Sequence, residues 1–150
     1  MIVRPAEEKD VPALLGVEDQ GMASPWSSGR IVSEFAHPLS RIFVLEQDSQ
    51  VSGYAAFRTC ASEGELLRLV VLPSWRRQGG AGRLLRFGLH LLAGHGMETC
   101  FLEVRSSNSA ARALYGQHGF TVIGMRPKYY RQPVEDAVVM RYDTTGLQEG

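Results

Sequence analysis

The sequence is poor in cysteine and histidine, and neither residue is clustered. Its two cysteines, Cys60 and Cys100, lie in unrelated apolar contexts without a Cys-x-x-Cys arrangement, and its four histidines have no metal-ligand spacing. Neither a disulfide framework nor a zinc-type centre is therefore indicated. We expect no metal, and we expect both thiols to be reduced and buried, since free cysteine is among the most buried residue types.

An excess of charge and a long apolar run are also missing. Lys plus Arg and Asp plus Glu both number 16, so the net charge is zero and gives no bulk attraction to nucleic acid or to a membrane surface. The apolar runs are shorter than a membrane span, and Met1 to Pro5 lacks the layout of a signal peptide. We expect a cytoplasmic protein with no nucleic-acid or membrane partner, which holds any anion by local chemistry.

The order of apolar patterns predicts an α/β fold in a chain of 150 residues. Strands are expected at 2–5, 42–46, 51–59, 65–72, 100–104, 121–125 and 137–142, and helices after Asp10 and at 28–35, 81–92 and 109–118. Asp10 is expected to cap the helix that follows it. This order predicts a mixed, mostly antiparallel sheet with helices on both faces. We assign residues 1–143 to one domain and 144–150 to a short polar tail.

A glycine-rich turn lies between a predicted strand and a predicted helix. Residues 76–83 read RRQGGAGR, and the glycines let backbone N–H groups approach an anion while the helix dipole adds positive charge. The arginines suit phosphate. The turn is not a Walker loop, because no Gly-Lys-Ser/Thr follows, and Leu85 replaces the last glycine of the dinucleotide fingerprint. From these residues alone, a solvated turn remains an alternative to a pyrophosphate site.

From Pro73 to Leu85 the chain resembles the acetyl-CoA pyrophosphate motif, Arg/Gln-x-x-Gly-x-Gly/Ala, of the GNAT N-acetyltransferases. Arg76, Gly79 and Ala81 fit its positions, and the motif also fits one residue later. The resemblance runs from Arg4 to Met140 and narrows to the RimI-type enzymes, which acetylate the N-terminal alanine of a ribosomal protein. The segments that narrow it are Pro25–Trp26–Ser27, Leu102–Glu103–Val104–Arg105, Asn108 to Phe120, Tyr129–Tyr130 and Glu135–Asp136–Ala137.

This resemblance implies a single-domain GNAT acyl-CoA N-acyltransferase fold, acetyl-CoA as co-substrate and a protein N-terminus, possibly of a ribosomal protein, as acceptor. It makes Glu103 the proton acceptor and Tyr115 the proton donor to the leaving thiolate, with direct attack and no covalent enzyme intermediate. From the residues alone, without this resemblance, Glu103 could pair with Arg105, and Tyr115 could be an ordinary core aromatic. The alternative functions are a small-molecule or lysine acetyltransferase and a CoA-binding regulatory module without catalysis.

The resemblance also assigns the binding residues. Those expected to bind the co-substrate are Leu69, Val70, Val71, Arg76, Arg77, Gln78, Gly79, Gly80, Ala81, Gly82 and Asn108; those expected to bind the acceptor are Trp26, Glu65, Arg68, Tyr129 and Tyr130. Asn108 could also cap a helix, and Glu65 could share the base role. Arg68 stands where RimI-type enzymes commonly have Asn, and we expect it to face the acceptor and favour acidic residues by direct pairing.

Overall fold

One seven-stranded sheet runs through the protein. The computed structural model describes residues 1–144. The strands are β1 (Ile2–Pro5), β2 (Ser40–Gln47), β3 (Gln50–Cys60), β4 (Glu63–Val71), β5 (Thr99–Arg105), β6 (Thr121–Arg131) and β7 (Val134–Asp143). Their order is β1-β2-β3-β4-β5-β7-β6, and every neighbouring pair is antiparallel except β4 and β5, which are parallel. The predicted mixed, mostly antiparallel sheet is confirmed.

Four helices cover the two faces of this sheet. They are α1 (Val11–Gly21), α2 (Ser28–Ala36), α3 (Gly80–Gly94) and α4 (Ser109–Gln117). On one face, Leu14 and Val17 of α1 and Ile31 of α2 pack against Tyr54 and Val70. On the other face, α3 and α4 cover a larger cluster that contains Phe57, Leu84, Leu85, Leu89, Leu102 and Phe120. Within residues 1–144 no helix is both long and apolar enough to cross a membrane.

Local sequence explains most of the element ends. Asp48 and Ser49 both have positive φ in the two-residue turn from β2 to β3, which matches the twist of a hairpin. Ser27 caps α2 by accepting from the Arg30 amide. The predicted cap of α1 by Asp10 is wrong: the Asp10 side chain makes no cap bond to α1 and instead pairs with the Arg4 guanidinium at 2.8 Å.

The two parallel strands pair over only three residues each. Their register runs from Glu63 opposite Thr99 to Glu65 opposite Phe101 and then stops. Just past that point β4 contains a bulge, because Ala56 and Phe57 of β3 face Arg68 and Leu66 and leave Leu67 as the extra residue. A bulge bends its strand. The remainder of β4 therefore separates from β5 and opens a gap in the middle of the sheet.

The predictions for the two cysteines and for the C-terminal tail are only partly met by the described residues. Cys100 is buried, and this burial raises the pKa of its thiol to about 12, but Cys60 is exposed at the end of β3 and was wrongly expected to be buried. Thr144, the first residue of the predicted tail, is buried and donates from its amide to the Glu98 carbonyl at 2.9 Å. Residues 145–150 of that tail lie outside the described residues.

Candidate active site

The gap between β4 and β5 is a cleft of about 430 Å³. It gathers nine of the predicted site residues from the loop before α2, β4, β5, α4 and β6: Trp26, Glu65, Arg68, Leu69, Glu103, Asn108, Tyr115, Tyr129 and Tyr130. The side chains of Val70 and Val71 are buried in the two cores, so only their backbone can serve a ligand. The predicted residues 76–82 lie beyond the end of β4, where α3 begins.

The N-terminus of α3 presents free backbone amides. Gly79 is the N-cap with φ of 81°, no side chain caps the helix, and the first helical bond runs from the Arg83 amide to the Gly79 carbonyl at 3.0 Å. The amides of Gly79 to Gly82 therefore have no intrahelical acceptor. A Cβ on Gly80 would lie 2.6 Å from Leu45 Cδ2, so glycine is needed for the helix to approach the sheet. Such a helix end binds anions.

The arginines of the turn are largely used by the fold. Arg76 donates from Nε to the Val71 carbonyl at 3.0 Å and from a terminal nitrogen to the Gly21 carbonyl at 2.8 Å. It thereby joins the end of β4 to the end of α1. Arg83 donates to the Met1 carbonyl, and Arg77 is an exposed residue with positive φ. Arg76 and Arg83 are therefore engaged within the fold, whereas the backbone amides at the start of α3 are not, and the co-substrate role of Arg76 and Arg77 stays a prediction.

Glu103 occupies the wall of the cleft on β5. Its Oε1 accepts a hydrogen bond from Arg126 at 2.8 Å, whereas its Oε2 is buried and has no hydrogen-bond partner among the described residues. The alternative pairing with Arg105 is wrong. Arg105 instead pairs with Glu135 and holds the turn between β6 and β7 by donating to the Gln132 and Pro133 carbonyls. One carboxylate oxygen of Glu103 is thus left available to a ligand.

Other titratable groups surround this carboxylate. Burial, followed by the charge of Glu103, raises the pKa of Glu65. Hydrogen bonding toward Glu103, followed by burial, raises the pKa of Tyr129. Across the cleft, burial raises the pKa of Tyr115 to about 12, so this phenol stays protonated at neutral pH. The cleft therefore holds a carboxyl group on one wall and a protonated phenol on another.

The positive charge of Arg68 is already paired with a carboxylate of the protein. Its guanidinium forms two hydrogen bonds, at 2.7 and 3.0 Å, to Glu18, which is fully buried on α1. Glu18 also accepts from the Tyr54 hydroxyl and from the Trp26 amide, so this network fixes the loop before α2. Because this guanidinium already binds Glu18, the structure does not support the expected pairing of Arg68 with acidic acceptors. Sequence reasoning missed Glu18, although a carboxylate on the apolar face of a helix was the available signal.

The loop between β5 and α4 is held by two side chains. Asn108 caps α4 by accepting from the Ala111 amide at 3.1 Å, while it also lines the cleft. Glu135 accepts from the Ser107 amide and the Ser106 hydroxyl, and hydrogen bonding to Ser107, with a smaller contribution from Ser106, lowers its pKa to about 2. Glu135 belongs to a segment singled out in the sequence, but its role in ordering this loop was not foreseen.

A model of the acetyltransferase (GNAT) family matches residues 11–120. A Haemophilus ducreyi protein named [ribosomal protein bS18]-alanine N-acetyltransferase is 34% identical over 136 residues, which cover 89% of this chain and 93% of that protein. A protein of the same name from Escherichia coli is also 34% identical, over 89% of this chain and 91% of its own length.

This chain is a GNAT acetyltransferase.

Solved structures agree with this family. The crystal structure of the ribosomal-protein-S18-alanine N-acetyltransferase from Escherichia coli superposes with a TM-score of 0.89 and 32% identity, covering 95% of this chain and 92% of that one. Ard1 from Thermoplasma volcanium superposes with a TM-score of 0.83 at 21% identity and shows that it shares the fold. The predicted family, fold class and enzyme class are confirmed.

Acetyltransferases of this family use acetyl-CoA, and this chain has features that suit it. The uncapped amides of Gly79 to Gly82 suit an anion such as a pyrophosphate, and the cleft lies beside β4, the strand that precedes them in the chain. Over the described residues, no group of three or more histidine, cysteine or acidic side chains is arranged to hold a metal ion.

Proposed function

We propose that this acetyltransferase acts in the cytoplasm and acetylates the α-amine of an N-terminal alanine, with a ribosomal protein of the bS18 type as its acceptor. The observation that carries the proposal is that Glu103, with one buried and unpaired oxygen, lines the same cleft as Tyr115. The names of the Haemophilus ducreyi and Escherichia coli relatives support the acceptor.

In this proposal acetyl-CoA supplies the acetyl thioester, and the residues of the chain manage the protons. Glu103 takes the proton from the acceptor ammonium through Oε2, directly or through water. The amides of the β4 segment that includes Leu69 and Val71 serve the thioester carbonyl oxygen, because alternate amides of this stretch point away from β3 and β5 has separated from it.

Tyr115 requires a more limited role than simple proton transfer. Its pKa is raised to about 12, whereas an ordinary thiol has a pKa of about 8.5. Complete transfer of its proton to a thiolate is therefore uphill. We assign Tyr115 as a hydrogen-bond donor that stabilises negative charge on the leaving sulfur. Tyr115 keeps its proton, and the released thiolate takes a proton from solvent.

Charges beside the cleft revise the predicted acceptor preference. Glu65 and Glu103 also line a second groove of about 520 Å³, together with Glu63, Arg58 and Arg126. Arg58 is paired with Glu34 in a bidentate contact at 2.7 and 2.9 Å, and Arg126 is paired with Glu103. Among the described residues, the charges of this groove outside these pairs are the carboxylates of Glu63 and Glu65, which favour an acceptor with a basic rather than an acidic side chain after its first residue.

Two peptides test the proposed acceptor. The first begins with alanine, has a free α-amine and lacks lysine, and the second has a blocked N-terminus and one free lysine. Mass spectrometry after incubation with acetyl-CoA should show acetylation of the first peptide on its α-amine and little of the second. Equal rates on both would replace the N-terminal proposal with a lysine or small-molecule acceptor.

A further inference from the structure

The contact between Glu103 and Arg126 has no role in the function described so far. Arg126 lies on β6, and its terminal nitrogen donates to Glu103 Oε1 at 2.8 Å. Its side chain is 56% exposed, and the guanidinium lies 4.5 Å from the ring centroid of Tyr129. A flexible, exposed arginine is thus held from one side by an aromatic ring and directed at the candidate base.

The surroundings of Glu103 make a positive neighbour important. Glu65 faces it from β4, and Tyr129 and Tyr130 approach it from β6. Beyond Glu65 lie Arg58 and Glu34, which are paired with each other. On β7 its register partner is Val139, which carries no charge. Among the described residues, Arg126 is therefore the cation that contacts Glu103 directly.

We propose that Arg126 is a positioning residue for Glu103: it holds Oε1, so that Oε2 remains the proton-accepting atom, and it supplies a positive charge beside the neighbouring carboxyl groups of Glu103 and Glu65. The inference rests on the proposed function, in which Glu103 is the base. A carboxylate with two free oxygens rotates and shares its charge between them, whereas a carboxylate fixed at one oxygen presents the other in a constant direction. A neighbouring positive charge also favours the ionised form over the protonated form.

The experiment is a pH profile of kcat/KM with an alanine-initiated peptide for the unmodified enzyme and for Arg126→Gln and Arg126→Lys. We expect Arg126→Gln to move the acid limb of the profile to higher pH by about one unit. Activity should therefore fall up to roughly tenfold below that limb and recover toward high pH. Arg126→Lys keeps the charge and should return most of the shift. Affinity for CoA should not change in either variant.

Arg141→Gln is a matched control, because Arg141 is also an exposed arginine of the same sheet but pairs with Asp143. Its acid limb should coincide with that of the unmodified enzyme. An acid limb that Arg126→Gln leaves in place, or a shift that Arg141→Gln reproduces, would overturn the positioning role alone. Full activity of Glu103→Gln at neutral pH would overturn the proposed base, and the positioning role with it.

Discussion

The cleft and the N-terminus of α3, which lies beyond the end of β4, are built from different parts of the chain. At the N-terminus of α3, neighbouring backbone amides and closely spaced glycines form the proposed pyrophosphate site. In the cleft, side chains distant in sequence hold the walls: the pair of Arg68 with buried Glu18 fixes the loop of Trp26, and Arg105 fixes the turn that follows Tyr130 by donating to its backbone carbonyls. A surface made by adjacent amides depends on local sequence, whereas one made by distant side chains depends on the whole fold.

Removal of the proposed base should have the largest effect on turnover and should leave the binding of the co-substrate unchanged. Glu103→Gln removes the proton acceptor, so we expect turnover at pH 7 to fall by about 10²-fold or more, with partial recovery at high pH, where the amine is already neutral. CoA affinity, measured by calorimetry, should be unchanged. If turnover at pH 7 is fully retained, the base lies elsewhere, and Glu65 is then the first residue to test.

Removing Arg68 should destabilise the protein through the partner that it leaves behind. Arg68→Asn leaves Glu18 buried without its cation, which costs roughly 3 kcal/mol for a buried pair. Denaturant unfolding measures this loss, and the KM for the peptide should rise because the Trp26 loop is released. A variant with unaltered stability would show that the acceptor wall does not depend on this pair.

A negative charge introduced at the N-terminus of α3 tests the proposed pyrophosphate site. Gly79→Asp introduces a carboxylate where the α3 amides converge, so we expect CoA affinity to fall by about tenfold or more, consistent with the worth of charged groups at a helix N-terminus. Gly96→Asp is the control, since Gly96 also has positive φ, 104°, but follows the other end of α3. Unchanged CoA affinity in Gly79→Asp would displace the assigned pyrophosphate site.

The charge of the second residue of the acceptor peptide should change the acetylation rate by less than these substitutions do. The carboxylates of Glu63 and Glu65 line the second groove, so a peptide that begins Ala-Arg should be acetylated several-fold faster than one that begins Ala-Glu at low salt. The difference should shrink in Glu63→Gln and at high ionic strength. Faster acetylation of the Ala-Glu peptide would restore the acidic preference first expected from Arg68.

The smallest expected effect is the loss of the stabilising contacts of Glu135 at low pH. The folded pKa of Glu135, about 2, is below the ordinary value near 4.3, so its contribution to stability is present above the ordinary pKa and is lost as pH falls toward 2. The protection factor of the Ser107 amide, which donates to Glu135, should therefore fall over this range when its exchange is compared with that of the unfolded chain at the same pH. In Glu135→Gln the protection factor should be lower at neutral pH and less sensitive to acid. Identical protection in both proteins would contradict this assignment.

These contrasts also explain what the sequence predicts and what it does not. The stripe of Leu84, Leu85 and Leu92 predicts α3, and the glycines before it predict the anion site, since both patterns are local. Glu18 and Arg68 are 50 residues apart, and Glu103 and Arg126 are 23 apart, so only the folded sheet brings each pair together. Strand β6 is longer than the predicted 121–125, because its pairing with β7 continues to Arg131.

The most direct test of the proposed acceptor is mass spectrometry of protein N-termini from cells with and without this enzyme. If the enzyme acetylates a bS18-type ribosomal protein at its N-terminal alanine, that N-terminus should be acetylated in the first cells and free in the second. Restoring the enzyme should return the acetyl group, and restoring Glu103→Gln should return little of it. An unchanged acetylation state at every alanine N-terminus, with lysine acetylation lost instead, would contradict the account.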